Sequence, residues 1–489
     1  MSRISPAERK LQLQREAEGD HLYANRIRVY PKSVHGPVRR FKWAVLILCL
    51  TVYYILPWLR WDRGPGRPNQ ALLLDFTHRR FYIFGLEFWP QDIYYLTGLL
   101  ILGAVFLFLI TSLAGRVWCG YACPQTVWTD LFMWVERLVE GDRNERMKRD
   151  AAPMNADTLW RKIAKHSIWV AIAFWTGGAW IMYYVDAPTT VRAFWTGTAG
   201  MGVYGFTALF TASTYLLAGW AREQVCTFMC PWPRFQAAMF DEQSFIVTYQ
   251  KWRGEPRGHL KADTHEPHGD CIDCGACVTA CPTGIDIREG VQLACIGCGL
   301  CVDACNEVMT RVARPLWLIT WDNLNRQAAK AQGHIVPVRL LRPRTIIYAS
   351  AMLIAVVVMG IALSQRPTIG LSVQQDRAPL FVRLPDGSVR DGYTIKISNK
   401  TQADTDFDLA PEGLGGATIA LSETHQDRAA TLRVKVPADD VGTLRVLVVA
   451  PDQSGSKPLT FRLRNTQTGE TTANNVAFVG PARSAGAPR

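Results

Sequence analysis

The chain has 489 residues, a net charge of +12 from 54 Lys+Arg against 42 Asp+Glu, and 13 cysteines. Its mean hydropathy of +0.01 averages long apolar runs with polar stretches, which excludes a single small soluble domain. No basic motif is interleaved with aromatics, so the excess charge reads as membrane topology and lipid contact, not as nucleic-acid binding.

Residues 1–40 form a basic N-terminal segment carrying Arg9, Lys10, Arg15, Arg26, Arg28, Lys32, Arg39 and Arg40. Five apolar runs then approach the ~20 residues needed to cross a bilayer, at 41–59, 92–113, 163–185, 197–220 and 345–363. The first lacks a small-residue cleavage site and is expected to anchor the chain. Trp58, Trp61, Trp89, Trp180, Trp195 and Trp220 lie near run ends, where interfacial aromatics belong. Residues 70–91 carry Asp75, Arg79 and Arg80 and are expected as a loop or a surface helix. Arg137, Arg143, Arg146, Lys148, Arg149, Arg161 and Lys162 crowd the loop after the second run, whereas the loop after the third has only Arg192. Arg60, Arg63, Arg67, Arg79 and Arg80 in the first outer loop oppose this bias. The balance places the N-terminus and residues 221–344 in the cytoplasm and the C-terminal tail outside. Asp186 and Arg192 bound the short outer loop and are expected to be solvated.

Two cysteine pairs follow the even-numbered runs: Cys119 and Cys123 in VWCGYACPQ, and Cys226 and Cys230 in QVCTFMCPWP. Both read C-x3-C-P. Positions i and i+4 share a helical face, and the proline disfavours helix at the second Cys while starting the next one. Each pair is therefore expected at a break between a span and an amphipathic surface helix, at 124–139 and 231–240. The matching contexts suggest that spans one–two and three–four form a weak internal repeat. Cys49, alone in the first span, is expected as a small buried hydrophobe. The shared spacing and proline make the pairs functional candidates, and a structural disulfide is not expected on the cytoplasmic side. Metal ligation, a further iron–sulfur cluster and redox cycling remain open. Four thiolates, with the thioether of Met229, form a soft set that favours Cu(I) over Cu(II). Cys119, Cys123, Cys226 and Cys230 are thus a candidate copper or redox site.

Eight more cysteines fall between residues 271 and 305 in two C-x2-C-x2-C-x3-C runs, the spacing of two-cluster bacterial ferredoxins. The fourth Cys of each run is expected to serve the other cluster. Cys271, Cys274, Cys277 and Cys305 are then assigned to one 4Fe–4S cluster, and Cys281, Cys295, Cys298 and Cys301 to the second. Structural zinc is the rival reading, but zinc motifs split their ligands into two pairs across a longer loop. His259, His265 and His268 precede the first run in a polar linker and are expected to be solvated. No span carries a central His, and C-x-x-C-H, G-x-G-x-x-G and G-x-x-x-x-G-K-[ST] are absent, so haem, NAD and ATP find no support.

The tail beyond about residue 366 has no Cys or Met and a single His, His425, so a copper domain lacks its soft ligands. Segments 394–399, 417–423, 431–436, 443–450 and 459–465 alternate apolar and polar residues between turns, as in an antiparallel sandwich of immunoglobulin-like size. Residues 482–489 read as disordered. The fold expected is a multidomain membrane protein. Residues 1–40 are its cytoplasmic segment, 41–220 a four-span α-helical membrane domain, and 221–344 a cytoplasmic region with a ferredoxin-like α+β core at 265–312. A fifth span at 345–363 leads to a periplasmic immunoglobulin-like β-sandwich at 370–480.

Taken in this order, VWCGYACPQTVWTDLF, CTFMCPWPRFQ, CIDCGACVTACPTGIDIREG, CIGCGLCVDAC and DGYTIKISNK resemble the CcoG family of cytochrome c oxidase accessory proteins, also called FixG or RdxA. The membrane half also looks like the polyferredoxin membrane proteins of nitrate and nitrous oxide respiration, which lack this tail arrangement. The resemblance implies a multi-pass protein of the bacterial inner membrane that reduces Cu(II) to Cu(I) in assembly of the cbb-type oxidase. It implies copper carriers or oxidase assembly factors as partners, with an electron donor the sequence does not name; a homo-oligomer is compatible with it. Asn306, where proline would follow the second run, departs from the ferredoxin pattern. Two other classes compete: a quinol-linked electron conduit, and a scaffold that binds oxidase subunits through the tail.

Overall fold

The computed structural model describes residues 28–64, 66–259, 268–401, 403–422, 428–451 and 454–481. Arg9, Lys10, Arg15, Arg26, His265, His425 and the segment 482–489 lie outside the described residues. The chain divides into two compact units, residues 1–359 and 360–489.

In the first unit, four helices are long and apolar enough to cross a membrane: Pro37–Trp58, Pro90–Ala114, Met201–Ala221 and, running into the second unit, Pro343–Ser364. They match the first, second, fourth and fifth expected spans. The third forms a 26-residue helix, Ala156–Ile181, about 39 Å long at 1.5 Å per residue. Arg161, Lys162, Lys165 and His166 in its first turns dilute its hydropathy. It nevertheless joins the same two ends of the bundle. Near its start Lys165 pairs with Glu140 at 2.8 Å, and the Trp169 indole donates to the Phe132 carbonyl. Beyond its end the Tyr183 hydroxyl donates to the Tyr53 carbonyl, and the Tyr183 carbonyl accepts from the Leu74 amide. Gly177 lets this helix lie close to its neighbour, since a Cβ there would meet the Thr211 nitrogen at 2.8 Å and the Thr207 carbonyl at 2.9 Å.

Residues 70–91 correct the expectation of a loop or surface helix. They fold into a three-stranded antiparallel sheet, Leu72–Asp75, Arg80–Ile83 and Leu86–Phe88. The turns fall at Arg79 and Phe84, both with positive φ. Arg63 organises this cap by donating to the carbonyls of Pro68, Gln70, Ala71 and Phe84. Trp89 is buried there beneath the Arg80 guanidinium, whereas the other five expected interfacial tryptophans are exposed. Asp186 is not merely solvated: it pairs with Arg60 at 2.7 Å and caps the helix Ala187–Thr196 through the Thr189 amide.

Charge is buried at the opposite end, along the amphipathic helix Pro124–Glu140. Asp130 pairs with Arg39 at 2.7 Å and Lys42 at 3.5 Å. Glu136, fully buried, pairs with Arg146 at 2.6 Å, Arg222 at 2.7 Å and Lys165 at 3.7 Å. Burial pushes both carboxyls up, but the cations overcome it. Lys42 and Arg39 hold Asp130, and Arg222 and Arg146 hold Glu136, below the usual carboxylate range.

The ferredoxin-like part is bracketed by two paired antiparallel strands, Ile246–Tyr249 and Ile319–Asp322, with the helices Ala276–Ala280 and Leu300–Arg311 between them. Asn306 lets the second helix continue past Cys305, and its side-chain oxygen accepts from the Trp317 amide at 2.8 Å. In the second unit a five-stranded and a four-stranded sheet enclose Tyr393, Ile395, Ile397, Phe407, Leu409, Phe461 and Phe478, all fully buried. The five expected strand segments lie in or overlap strands of these sheets; Ile369–Gln375, Thr405–Glu412 and Thr471–Val479 add to them.

The buried network gives a direct prediction. Glu136→Ala leaves Arg146, Arg222 and Lys165 without their shared partner and is expected to cost about 3–5 kcal/mol. Thermal unfolding in detergent would show it as a lower midpoint; an unchanged midpoint would mean the network does not hold this edge together.

Candidate functional site

Each cysteine run turns on a glycine in the left-handed region, Gly275 (φ +66) after Cys274 and Gly299 (φ +71) after Cys298, a backbone that glycine adopts without strain. The turn opens the short helix that carries the third cysteine of its run. Pro282 follows the first run after its helix has stopped, so Cys281 leaves in extended backbone. Two cavities result. One is lined by Cys271, Cys274, Cys277 and Cys305 with Tyr249, Leu318 and Ile319. The other is lined by Cys281, Cys295, Cys298 and Cys301 with Thr283 and Ile285, and Cys277 also borders it. Cys277 borders both spaces, and each space draws cysteines from both runs.

The donor set fits iron–sulfur clusters. Burial pushes the thiols of Cys277, Cys295 and Cys305 up to about 12, so bare thiolates would not persist there at neutral pH, whereas a bound metal deprotonates its thiols outright. Among the described residues no three His, Cys, Asp or Glu side chains group closely enough to hold one metal ion. The eight thiols line these two spaces, and the spacing of their runs is that of two-cluster ferredoxins. Arg288, paired with Asp273 and Asp286, fixes the loop beside Cys274.

The four membrane-edge cysteines sit at the expected breaks. Cys119 lies on the five-residue helix Val117–Tyr121, and Cys123 is extended where the helix Pro124–Glu140 begins. The second pair has a different local structure. The span ends in a π-helical turn, Tyr215–Ala221, and Cys226 lies on another, Val225–Met229, before extended Cys230 and the helix Trp232–Met239. Such turns are uncommon and concentrate at functional sites. Burial first, and neighbouring cysteines next, push the thiol of Cys119 up to about 11 and that of Cys226 up to about 12. The Cys119 thiol donates to Gln236 Oε1 at 3.4 Å, on a fully buried glutamine. Cys230 is exposed, and Met229, expected as a further soft ligand, stands 62% exposed beside it. His259 and His268 join no metal-binding group among the described residues.

The two thiol sets meet directly. A Cβ on Gly120 would lie 2.9 Å from Cys298 Cα and 2.9 Å from the Ile296 carbonyl, so the two backbones touch. The Tyr121 hydroxyl donates to the Cys298 carbonyl at 3.1 Å. Cys119 and Cys226 pack against Ile296, Cys298 and Leu300. Arg116 spans the junction, donating to the carbonyls of Leu293 and Cys295 on one side and of Pro233 on the other. A second tie runs through Asp303, between Cys301 and Cys305, whose carboxylate accepts from the Val38 and Arg39 amides at the start of the first span. Sequence reading missed Gly120, Gln236, Arg116 and Asp303. Gly120, next to Cys119, and Asp303, inside the second cysteine run, carried a signal by their place in the sequence.

Three family models match parts of the chain: a 4Fe-4S binding domain at residues 96–140, a 4Fe-4S dicluster domain at 221–324, and the IG-like fold at the C-terminal of FixG at 359–481. Protein RdxA of Cereibacter sphaeroides is 44% identical over 445 residues, 90% of this chain and 93% of that protein. Nitrogen fixation protein FixG of Rhizobium meliloti is 44% identical over 461 residues, 88% of each chain. A crystal structure of a FixG-related protein from Vibrio parahaemolyticus aligns with 23% of this chain and 96% of its own, at 23% identity and a TM-score of 0.20, a score that carries no argument about fold. With both curated relatives matched over most of their length, and with iron–sulfur domains joined to apolar spans, this chain belongs to the FixG/RdxA family of membrane iron–sulfur electron-transfer proteins.

Proposed function

We propose that this protein reduces Cu(II) to Cu(I) at Cys119, Cys123, Cys226 and Cys230, taking one electron per ion from the ferredoxin-like part, in the service of cbb-type oxidase maturation. The observation that carries this reading is the backbone contact of Gly120 with Cys298, which puts the membrane-edge thiols beside the cavity of Cys281, Cys295, Cys298 and Cys301. The two 4Fe–4S clusters, when bound in the crossed sets, supply one-electron chemistry. The chain's own residues do the rest. Exposed Cys230 admits the substrate ion, and the buried thiols of Cys119 and Cys226 replace its water. A soft, thiolate-rich set favours Cu(I), so binding raises the copper potential and makes uptake of one electron downhill. The cysteine runs lie on the cytoplasmic side of the inner membrane and the tail lies in the periplasm, following the Lys and Arg bias. The tail docks oxidase assembly factors or copper carriers.

One observation favours a second reading. The matched 4Fe-4S binding domain at 96–140 contains Cys119 and Cys123, so the four membrane-edge thiols would hold a further cluster. Iron and sulfide analysis separates the two: two clusters' worth per chain fits the copper reading, and three clusters' worth fits the rival.

In an anaerobic assay, dithionite-reduced protein given Cu(II) is expected to yield Cu(I), trapped by a chromogenic chelator. Cys226→Ala and Cys230→Ala are each expected to slow this about tenfold or more; equal rates would remove these cysteines from the copper site. Gly120→Ala pushes a methyl into the Cys298 backbone and is expected to keep the iron content while slowing Cu(I) formation. Unchanged kinetics there would place the electron's route elsewhere. Deleting residues 370–489 is expected to leave Cu(II) reduction intact and abolish oxidase maturation in cells; loss of reduction would overturn the docking role of the tail.

A further inference from the structure

Arg116 is 6% exposed and stands between the two thiol sets, yet its hydrogen bonds are all to carbonyls: Leu293, Cys295 at 2.9 Å and Pro233 at 2.8 Å. Its Nε has no partner. Among the described residues no carboxylate forms an ion pair with it, although Arg39, Arg146, Arg222, Arg288 and Arg342 at this end of the bundle all have one. The Phe240 ring lies below the guanidinium at 5.6 Å, and the backbone of Gly297 abuts that of Arg116. A buried guanidinium that neutral carbonyls alone surround is costly. Its missing counter-charge must therefore be something else nearby.

The ionisable groups nearest it are the thiols of Cys295, Cys119 and Cys230. As free thiols these are neutral, but as metal-bound thiolates they are anionic. We infer that Arg116 is a positioning residue whose charge is balanced by metal-bound thiolate at both sets, and that it thereby raises the reduction potential of the cluster held by Cys281, Cys295, Cys298 and Cys301. A fixed positive charge favours whichever redox state is more negative, which is the reduced one. The cluster of Cys271, Cys274, Cys277 and Cys305 lies in the other cavity, away from Arg116. The same charge draws electron density toward the junction with the membrane-edge thiols, and so gives the two clusters unequal potentials in the useful direction. This inference rests on the cluster assignment proposed above.

The test is an EPR-monitored redox titration of full-length protein in detergent, comparing wild type with Arg116→Gln and Arg116→Lys, with iron and sulfide counted in each. In Arg116→Gln the midpoint of one cluster is expected to fall while the other stays. A tenfold change in its one-electron reduction equilibrium corresponds to about 59 mV. Arg116→Lys keeps the charge while losing the planar fork, and its midpoint is expected near that of wild type. Two unchanged midpoints, an equal fall of both, or a Lys variant that behaves like the Gln variant would overturn the inference. Should Arg116→Gln fail to hold iron, the Lys variant decides alone: a full cluster complement at wild-type potential supports the charge, and lost iron assigns Arg116 to structure. Wild type lacking two clusters would instead sink the cluster assignment, a failure distinguishable from the others by its iron count.

Discussion

The contact between Gly120 and Cys298 is the constraint on which the rest of the first unit turns. Two backbones approach so closely that no side chain fits between them, and one of them belongs to a ferredoxin-type loop while the other follows a membrane span. The surrounding features serve that approach. Tyr121 holds the Cys298 carbonyl, Arg116 ties Cys295 to the membrane side, and the short helix bearing Cys119 presents glycine where a larger residue would wedge the layers apart.

Charge does a second job at the same edge. The helix Pro124–Glu140 buries Asp130, Glu136 and Glu140, each matched by cations from a different part of the chain. Ions taken from water contribute little net stability, but the loss of one partner is severe. Such a network therefore specifies which elements meet more than it strengthens their meeting. The N-terminal segment, the 156–181 helix and the end of the 201–221 span are all registered against one helix in this way. Arg116 differs from these cations: among the described residues no carboxylate pairs with it, and its partners are backbone carbonyls.

Much of this was legible in the chain, for physical reasons that differ from part to part. The spacing of the two cysteine runs carried the expectation of two clusters, because it is the ferredoxin pattern. The tail announced itself through alternation, with Tyr393, Ile395 and Ile397 buried and Thr394 and Lys396 between them less so. Proline after Cys123 and Cys230 fixed where helices stop and restart. Residues 70–91 misled because Asp75, Arg79 and Arg80 within an apolar stretch suit a surface helix as well as a hairpin. Only the turns at Arg79 and Phe84 decide between them. The 156–181 helix hid its role because its charged first turns are paired in the fold and look merely solvated in the sequence. Gln236, Asp303 and the Gly120 contact join residues more than a hundred positions from their partners, and no local pattern records such a meeting.

Asp303 carries one more consequence, which concerns the order of biogenesis. The first span emerges from the ribosome some 250 residues before Asp303, so its opening amides insert without their eventual acceptor. They are completed only when the helix carrying Cys301 and Cys305 folds against them. The opening turn of the first span and the helix that carries Cys301 and Cys305 are therefore joined by a contact that local folding alone does not make.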